Sequence, residues 1–279
     1  MLFEYTTPRN KVIKFDHTYV MGIVNVTPDS FYPGSRVDKD KLLSTVKEMI
    51  NNGAEIIDVG GESTRPGSER VSLDEELNRV LPAIEAIREN FDVLISIDTY
   101  KSVVAEESLK IGVDIVNDIS AMKFDENMVN VVKKYNCPVI LMHMKGTPRN
   151  MQENPYYHDT VQEIYDYLKE RVEFAKSNGI SQIIVDPGIG FGKRLIDNLL
   201  IIKHLSKFKE IGYPVLLGAS RKSMIGMILD LPVEERLEGT LAITAAGVIN
   251  GADIIRVHDV KENVRVVKVI EAIINATQG

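Results

Sequence analysis

The residues of this chain that could do chemistry follow short apolar runs, and their types suggest two kinds of partner. Asn25, Asp58, Asp98, Asn117 with Asp118, His143 and Asp186 each stand at the end of such a run. Ser220-Arg221-Lys222 follows another, and Arg256 and His258 alternate at the end of the last. Arg65, Lys222, Arg256 and His258 carry positive charge and clustered N–H donors, which suits a phosphate or diphosphate. An ionised carboxylate only accepts, so Asp98 and Asp186, if buried, suit a heterocycle edge that offers paired N–H donors. Other polar residues read as structural. Asp58 precedes Gly60-Gly61 and is expected to orient the following loop, and His143, between two methionines, is expected to pack in the core. The single cysteine, Cys137, stands before the apolar run 138–142 and reads as a small buried side chain.

Two other signals carry less than they suggest. Gly188-Ile-Gly190-Phe-Gly192 has the look of a nucleotide loop but fits neither the G-x-G-x-x-G nor the Walker A spacing. His17, His158 and His204 lie far from any thiol or carboxylate pattern, so no zinc site is expected.

The elements that must position the polar residues are legible as runs rich in Val and Ile: Tyr19–Val26, Glu55–Val59, Val93–Ile97, Asp114–Val116, Val139–Met142, Gln182–Val185, Val215–Leu217 and Ile254–Val257. Continuous apolar runs of this length are how strands covered on both faces read. Helical segments separate them. Ser72 with Glu75, and Thr160 with Glu163, have the spacing of capping boxes. Ile164, Leu168, Val172 and Ala175 recur at helical spacing before a stop at Asn178-Gly179. Strict alternation of strand and helix requires parallel strands and right-handed crossovers. Repeated to this length, it predicts one (β/α)8 barrel domain over residues 1–279, with a short hairpin around 11–17 plugging the bottom. All the strand ends then converge on one face, where such barrels place their sites. The loops Thr27–Gly34 and Glu62–Ser68 overhang that face and are expected to act as lids.

Composition narrows the function class. A net charge of −7 disfavours a broad nucleic-acid surface. No stretch approaches the roughly 18 consecutive apolar residues of a membrane span. The first ten residues do not read as a signal peptide, so a cytoplasmic protein is expected.

Taken in order, several motifs resemble one family. They are Met21-Gly-Ile-Val-Asn-Val-Thr-Pro-Asp-Ser-Phe31, Asp58-Val-Gly-Gly-Glu-Ser-Thr-Arg-Pro-Gly67, Ile97-Asp-Thr99 and Val116-Asn-Asp-Ile-Ser120. Asp186-Pro-Gly-Ile-Gly-Phe191, Ser220-Arg-Lys-Ser223 and Arg256-Val-His-Asp259 complete the set. Together they closely resemble the dihydropteroate synthases, from about Tyr19 to Glu271. The resemblance implies condensation of 6-hydroxymethyl-7,8-dihydropterin diphosphate with p-aminobenzoate to give 7,8-dihydropteroate and pyrophosphate. It also implies Mg²⁺ and a homodimer; the apolar stretch Leu241–Ile249 would suit a subunit contact, though core packing explains it equally well.

Carried residue by residue, the resemblance implies a pterin pocket of Asp98, Asn117, Asp186, Lys222 and Arg256. The diphosphate would meet Asn25, Thr64, Arg65, Arg256 and His258, with Asn25 reaching the metal. p-Aminobenzoate would lie against Thr64, Pro66, Phe191 and Ser223. Asp98, Lys222, Arg256 and Asn25 would carry catalysis. Two other readings use the same pterin edge: a methyltetrahydrofolate corrinoid methyltransferase and a non-catalytic pterin-binding protein. Neither needs the Ser63-Thr64-Arg65-Pro66 loop together with Lys222 and Arg256-Val-His258.

Overall fold

The structure, a computed structural model, describes residues 3–26, 36–63, 67–68 and 70–277; the side chains of 36–38 are not described. An antiparallel hairpin, β1 (Glu4–Thr6) and β2 (Val12–Lys14), precedes eight parallel strands. These are β3 (Tyr19–Asn25), β4 (Ile56–Gly60), β5 (Leu94–Asp98), β6 (Ile115–Asp118), β7 (Val139–Met142), β8 (Ile183–Asp186), β9 (Leu216–Leu217) and β10 (Ile254–Val257). Their order around the sheet is β8-β7-β6-β5-β4-β3-β10-β9. The circle is completed between Val185 and Val215, with Val185 N–H donating to the Pro214 carbonyl at 2.9 Å. The expected barrel is present, with β7 and β10 at the expected limits and the other strands shifted by one or two residues.

Helices fill the crossovers: α1 (Arg36–Asn51), α2 (Leu73–Asn90), α3 (Ser102–Lys110), α4 (Met128–Tyr135), α5 (Thr160–Ser177), α6 (Leu195–Lys203) and α7 (Ser206–Lys209). Then come α8 (Ser223–Leu229), a 3-10 turn (Val233–Glu235), α9 (Leu237–Ile249) and α10 (Val260–Ile274). Ser72 caps α2 as its spacing predicts, accepting from Glu75 N–H at 3.2 Å. The cap of α5 is one residue earlier than the Thr160 box implies. Asp159 accepts from Gln162 N–H at 3.0 Å, and Glu163 accepts from His158 N–H at 2.7 Å. Thr160 is released to donate its hydroxyl to the buried Asp197 at 2.6 Å.

Side chains alternate across a strand, so two sets form. Val24, Ile57, Val59, Ile95, Ile97, Leu141, Val185 and Val257 face outward and pack with the helices. Met21, Ile56, Ile115, Ile140, Ile184, Leu216 and Ile254 face inward and pack with Tyr5, Ile13 and Phe15 of the hairpin region. The plug is a hairpin, as expected, but it begins earlier: β1 lies ahead of residues 11–17, and only β2 falls within that stretch. Tyr5 donates its hydroxyl to the Ile183 carbonyl at 2.6 Å, and Gln182 donates to the Thr6 carbonyl at 3.0 Å. Each such apolar side chain contributes about 1.5–3 kcal/mol on burial. Two residues further along, five of the eight strands turn polar on the inward face, with Asp58, Ser96, Asn117, Asp186 and Arg256, while β3, β7 and β9 carry Ile23, Met142 and Gly218 there. The barrel interior is thus apolar below and mostly polar above.

Candidate active site

The strand ladder fixes the heights of the polar residues. Asn25 is level with Gly60, Gly60 with Asp98, and Asp98 with Asn117. All lie on strands, so their backbones are held by neighbours on both sides. Arg256, on β10, reaches across and joins two carboxylates. Its Nε donates to Asp58 at 2.6 Å and its Nη2 to Asp98 at 2.7 Å. Asn117 Nδ2 donates to the same Asp58 oxygen at 3.3 Å. Asp58 is completely buried. It lies at the centre of the cluster rather than serving the loop after β4. Its signal in the sequence is the two-residue step from Ile56, which puts both on the inner face.

Burial dominates the ionisation of the site. It raises Asp98 to about 7, opposed by Arg256 and reinforced by Asp58. It also raises Asp186, opposed by Lys222. It lowers Lys222 to about 8, with Asp186 holding the ammonium charged and Arg256 working the other way. For Arg256 burial is outweighed by Asp58 and Asp98, which keep the guanidinium firmly charged. One oxygen each of Asp58 and Asp98 is buried without a hydrogen-bond partner among the described residues. Orphaned acceptors of this kind are costly unless a donor is supplied.

Asp186, Lys222 and Phe191 meet on the opposite side of the mouth. Asp186 accepts from Gly188 N–H at 2.7 Å. Lys222 donates to the Ile189 carbonyl, and its ammonium lies 4.6 Å from the centre of the Phe191 ring. Phe191 is half-buried and packs against the small apolar cluster of Tyr100, Ile119, Met142, Met144 and Met151. Ser223 is exposed at the start of α8. His258 Nδ1 lies 3.0 Å from Ser220 Oγ. Arg221 turns away and pairs with Asp259 through two contacts of 2.8 Å, so of the Arg-Lys pair only Lys222 serves the mouth. Asp118 is absorbed in its loop, accepting from Ser120 and Met122 N–H groups.

Thr64, Arg65 and Pro66, and all of Thr27–Gly34, lie outside the described residues. The root of the second loop is described and is strongly tied. Lys101 donates to Glu62 at 2.6 Å and to the Val71 carbonyl at 2.7 Å, and Tyr100 donates to Glu62 at 2.8 Å. His143 is buried, as expected, but it touches Lys193, a buried lysine the sequence reading did not single out. Cys137 is buried and its thiol is pushed up to about 12 by that burial.

The profile of the family described as "Pterin binding enzyme" matches residues 21–258, the stretch that contains every site residue expected from the sequence. A dihydropteroate synthase from Clostridium beijerinckii is 51% identical over 263 residues, covering 93% of this chain and 95% of that one. The chain belongs to the dihydropteroate synthase family. Solved structures of that family agree in the fold. Dihydropteroate synthase from Clostridium difficile, solved with pteroic acid, has a TM-score of 0.88 and 45% identity, covering 94% of this chain and 98% of that chain. That from Xanthomonas albilineans, solved with 4-aminobenzoic acid, has a TM-score of 0.90 and 36% identity, covering 98% and 100%. Dihydropteroate synthases are enzymes that transfer alkyl or aryl groups. Among the described residues no three or more His, Cys, Asp or Glu gather as a metal site, and no helix is long and apolar enough to cross a membrane.

Proposed function

We propose that this chain condenses 6-hydroxymethyl-7,8-dihydropterin diphosphate with p-aminobenzoate, releasing 7,8-dihydropteroate and pyrophosphate. The observation that carries this reading is the set at the barrel mouth, buried Asp58, Asp98, Asn117 and Asp186 beside half-buried Lys222 and Arg256, with an acceptor oxygen of Asp98 unpartnered among the described residues. A pterin edge rich in N–H donors fits such acceptors. Asp186 and Asn117 hold that edge, and Lys222 reaches the ring carbonyl side. Arg256 stacks its guanidinium plane on the ring while Asp58 and Asp98 hold that plane by its Nε and Nη2 edge.

The carbon–oxygen bond to the diphosphate breaks first, and its electron pair leaves with pyrophosphate. The electron-rich dihydropterin takes up the positive charge that develops, and the Asp98 carboxylate stabilises it. The amine of p-aminobenzoate then forms the new carbon–nitrogen bond and loses a proton to solvent or to pyrophosphate. An arylamine is already nucleophilic, so positioning and charge stabilisation supply most of the acceleration and no general base is required. Thr64, Pro66, Phe191 and Ser223 are assigned to the aminobenzoate, and Asn25, Thr64, Arg65, Arg256 and His258 to the diphosphate.

The residues fit a magnesium ion that arrives with the diphosphate. Asn25 Oδ1 and an oxygen of Asp98 lie 3.8 and 3.7 Å from the point where a side chain on Gly60 would begin, so hard oxygen donors border that space. Asn25 is the assigned ligand, and the ion when bound neutralises charge on the leaving group. The reading includes a cytoplasmic homodimer. Exposed apolar residues support the dimer: Met227 and Ile228 of α8, Ile249 of α9, and Val269 and Ile273 of α10.

The test is to mix both substrates with the enzyme and follow pyrophosphate. No release sinks the assignment. Deuterium on the transferred methylene then reads the order of events. A normal secondary isotope effect on kcat/KM supports departure before attack, and an effect near unity argues for direct displacement.

A further inference from the structure

We propose that Lys193 is a positioning residue, stapling the loop after β8 onto the end of β7 so that the other side of that loop holds Lys222 and Phe191. The proposal rests on the reading of Lys222 as a substrate-handling residue. It explains the glycine pattern that fits no nucleotide motif. Gly188, Gly190 and Gly192 all have positive φ, +69°, +82° and +65°. A Cβ on Gly188 would lie 2.0 Å from the His143 carbonyl oxygen, and one on Gly192 2.2 Å from that of Lys145. The loop therefore runs backbone against backbone along residues 143–145, a path open only to glycine.

Lys193 is 3% exposed and sits where loop and strand end meet. Its Nζ lies 3.0 Å from the Phe191 carbonyl, 3.3 Å from the His143 carbonyl and 2.9 Å from His143 Nδ1. Either protonation state closes the same three contacts. An ammonium donates to all three acceptors. A neutral amine donates to the two carbonyls and accepts from an Nδ1–H of His143. Burial lowers both groups well below their usual ranges.

The opposite side of the same loop meets Lys222. The Ile189 carbonyl accepts from Lys222, the Phe191 ring faces its ammonium, and Gly190 lies under its stem, 3.3 Å from Lys222 Cδ to a built Cβ. Gln152 and Asn198 fix Gly190 from outside at 2.7 Å each. Lys193 touches no substrate position; it acts through the residues that do.

A double-mutant cycle tests this, reading kcat/KM for p-aminobenzoate per mole of folded enzyme, with thermal unfolding measured alongside. Lys193→Met in the native background is expected to cost about tenfold to a hundredfold, the usual penalty of a misplaced reacting group. In a Lys222→Met background the same change is expected to cost less than about threefold, because coupled residues are not additive. Equal losses in both backgrounds, or no loss in the first, overturn the proposal. A harmless Lys222→Met overturns the underlying reading of Lys222 and the staple with it. If Lys193→Met does not fold, Lys193→Gln, which is neutral but keeps two N–H donors, goes through the same cycle with the same criteria.

Discussion

Replacing Asp58 by Asn separates the charge at the heart of the site from its shape. The amide oxygen can still accept from Arg256 Nε and Asn117 Nδ2, now at 2.6 and 3.3 Å from the carboxylate. The amide nitrogen must occupy the position of the other oxygen, which is buried and has no partner among the described residues. Removing one member of a buried ion pair costs about 3–5 kcal/mol. Arg256 keeps Asp98 at 2.7 Å, so the loss belongs below that range, at about 2–3 kcal/mol of unfolding free energy. The second consequence is more specific. Asp58 is one of the charges that push Asp98 up to about 7. Like charges roughly 5 Å apart, at an effective dielectric of ~20, repel by about 3 kcal/mol. The bridging guanidinium offsets about half of this, which leaves a shift of about one pH unit.

Asp98 must be ionised to stabilise a developing cation, so activity is lost as pH falls through its titration. Asp58→Asn should therefore move the acid limb of kcat/KM down by about one unit while lowering the plateau. Rates over a pH series on folded variant, with denaturant unfolding in parallel, read both effects. An acid limb that stays in place would refute the charge coupling between Asp58 and Asp98.

Two other substitutions probe the opposite wall. Asp186→Asn keeps the acceptor from Gly188 N–H but turns one oxygen into a donor that faces donors on the pterin, so pterin affinity by calorimetry should drop roughly tenfold or more; unchanged affinity would remove Asp186 from the pocket. Gly188→Ala meets the His143 carbonyl at 2.0 Å with φ of +69°, so it should destabilise by more than about 2 kcal/mol in denaturant melts, and a neutral result would contradict the close approach of loop and strand.

The barrel and most of its polar mouth were legible in the chain because both follow from periodicity. Eight apolar runs separated by helical spacing leave few topologies once crossovers must be right-handed. A parallel barrel brings every strand end to one face, so Asn25, Asp98, Asn117, Asp186 and Arg256 could be grouped without knowing any distance. Their types, acceptors beside fixed cations, and the order of their motifs pointed to the family. What the sequence left open depends on contacts through space. Asp58 looked like a loop residue because Gly60-Gly61 follows it; only the reach of Arg256 across the barrel makes it the centre of the site. The Thr160 cap gave way because a tertiary partner, Asp197, claimed the hydroxyl. Lys193 carries no motif of its own and is buried only when the loop folds back on residues 143–145, and the Ile189 carbonyl has no side chain to betray it. Local pattern determined which residues share a face. Which of them touch, and therefore which charges they hold, was decided by the closing of the barrel.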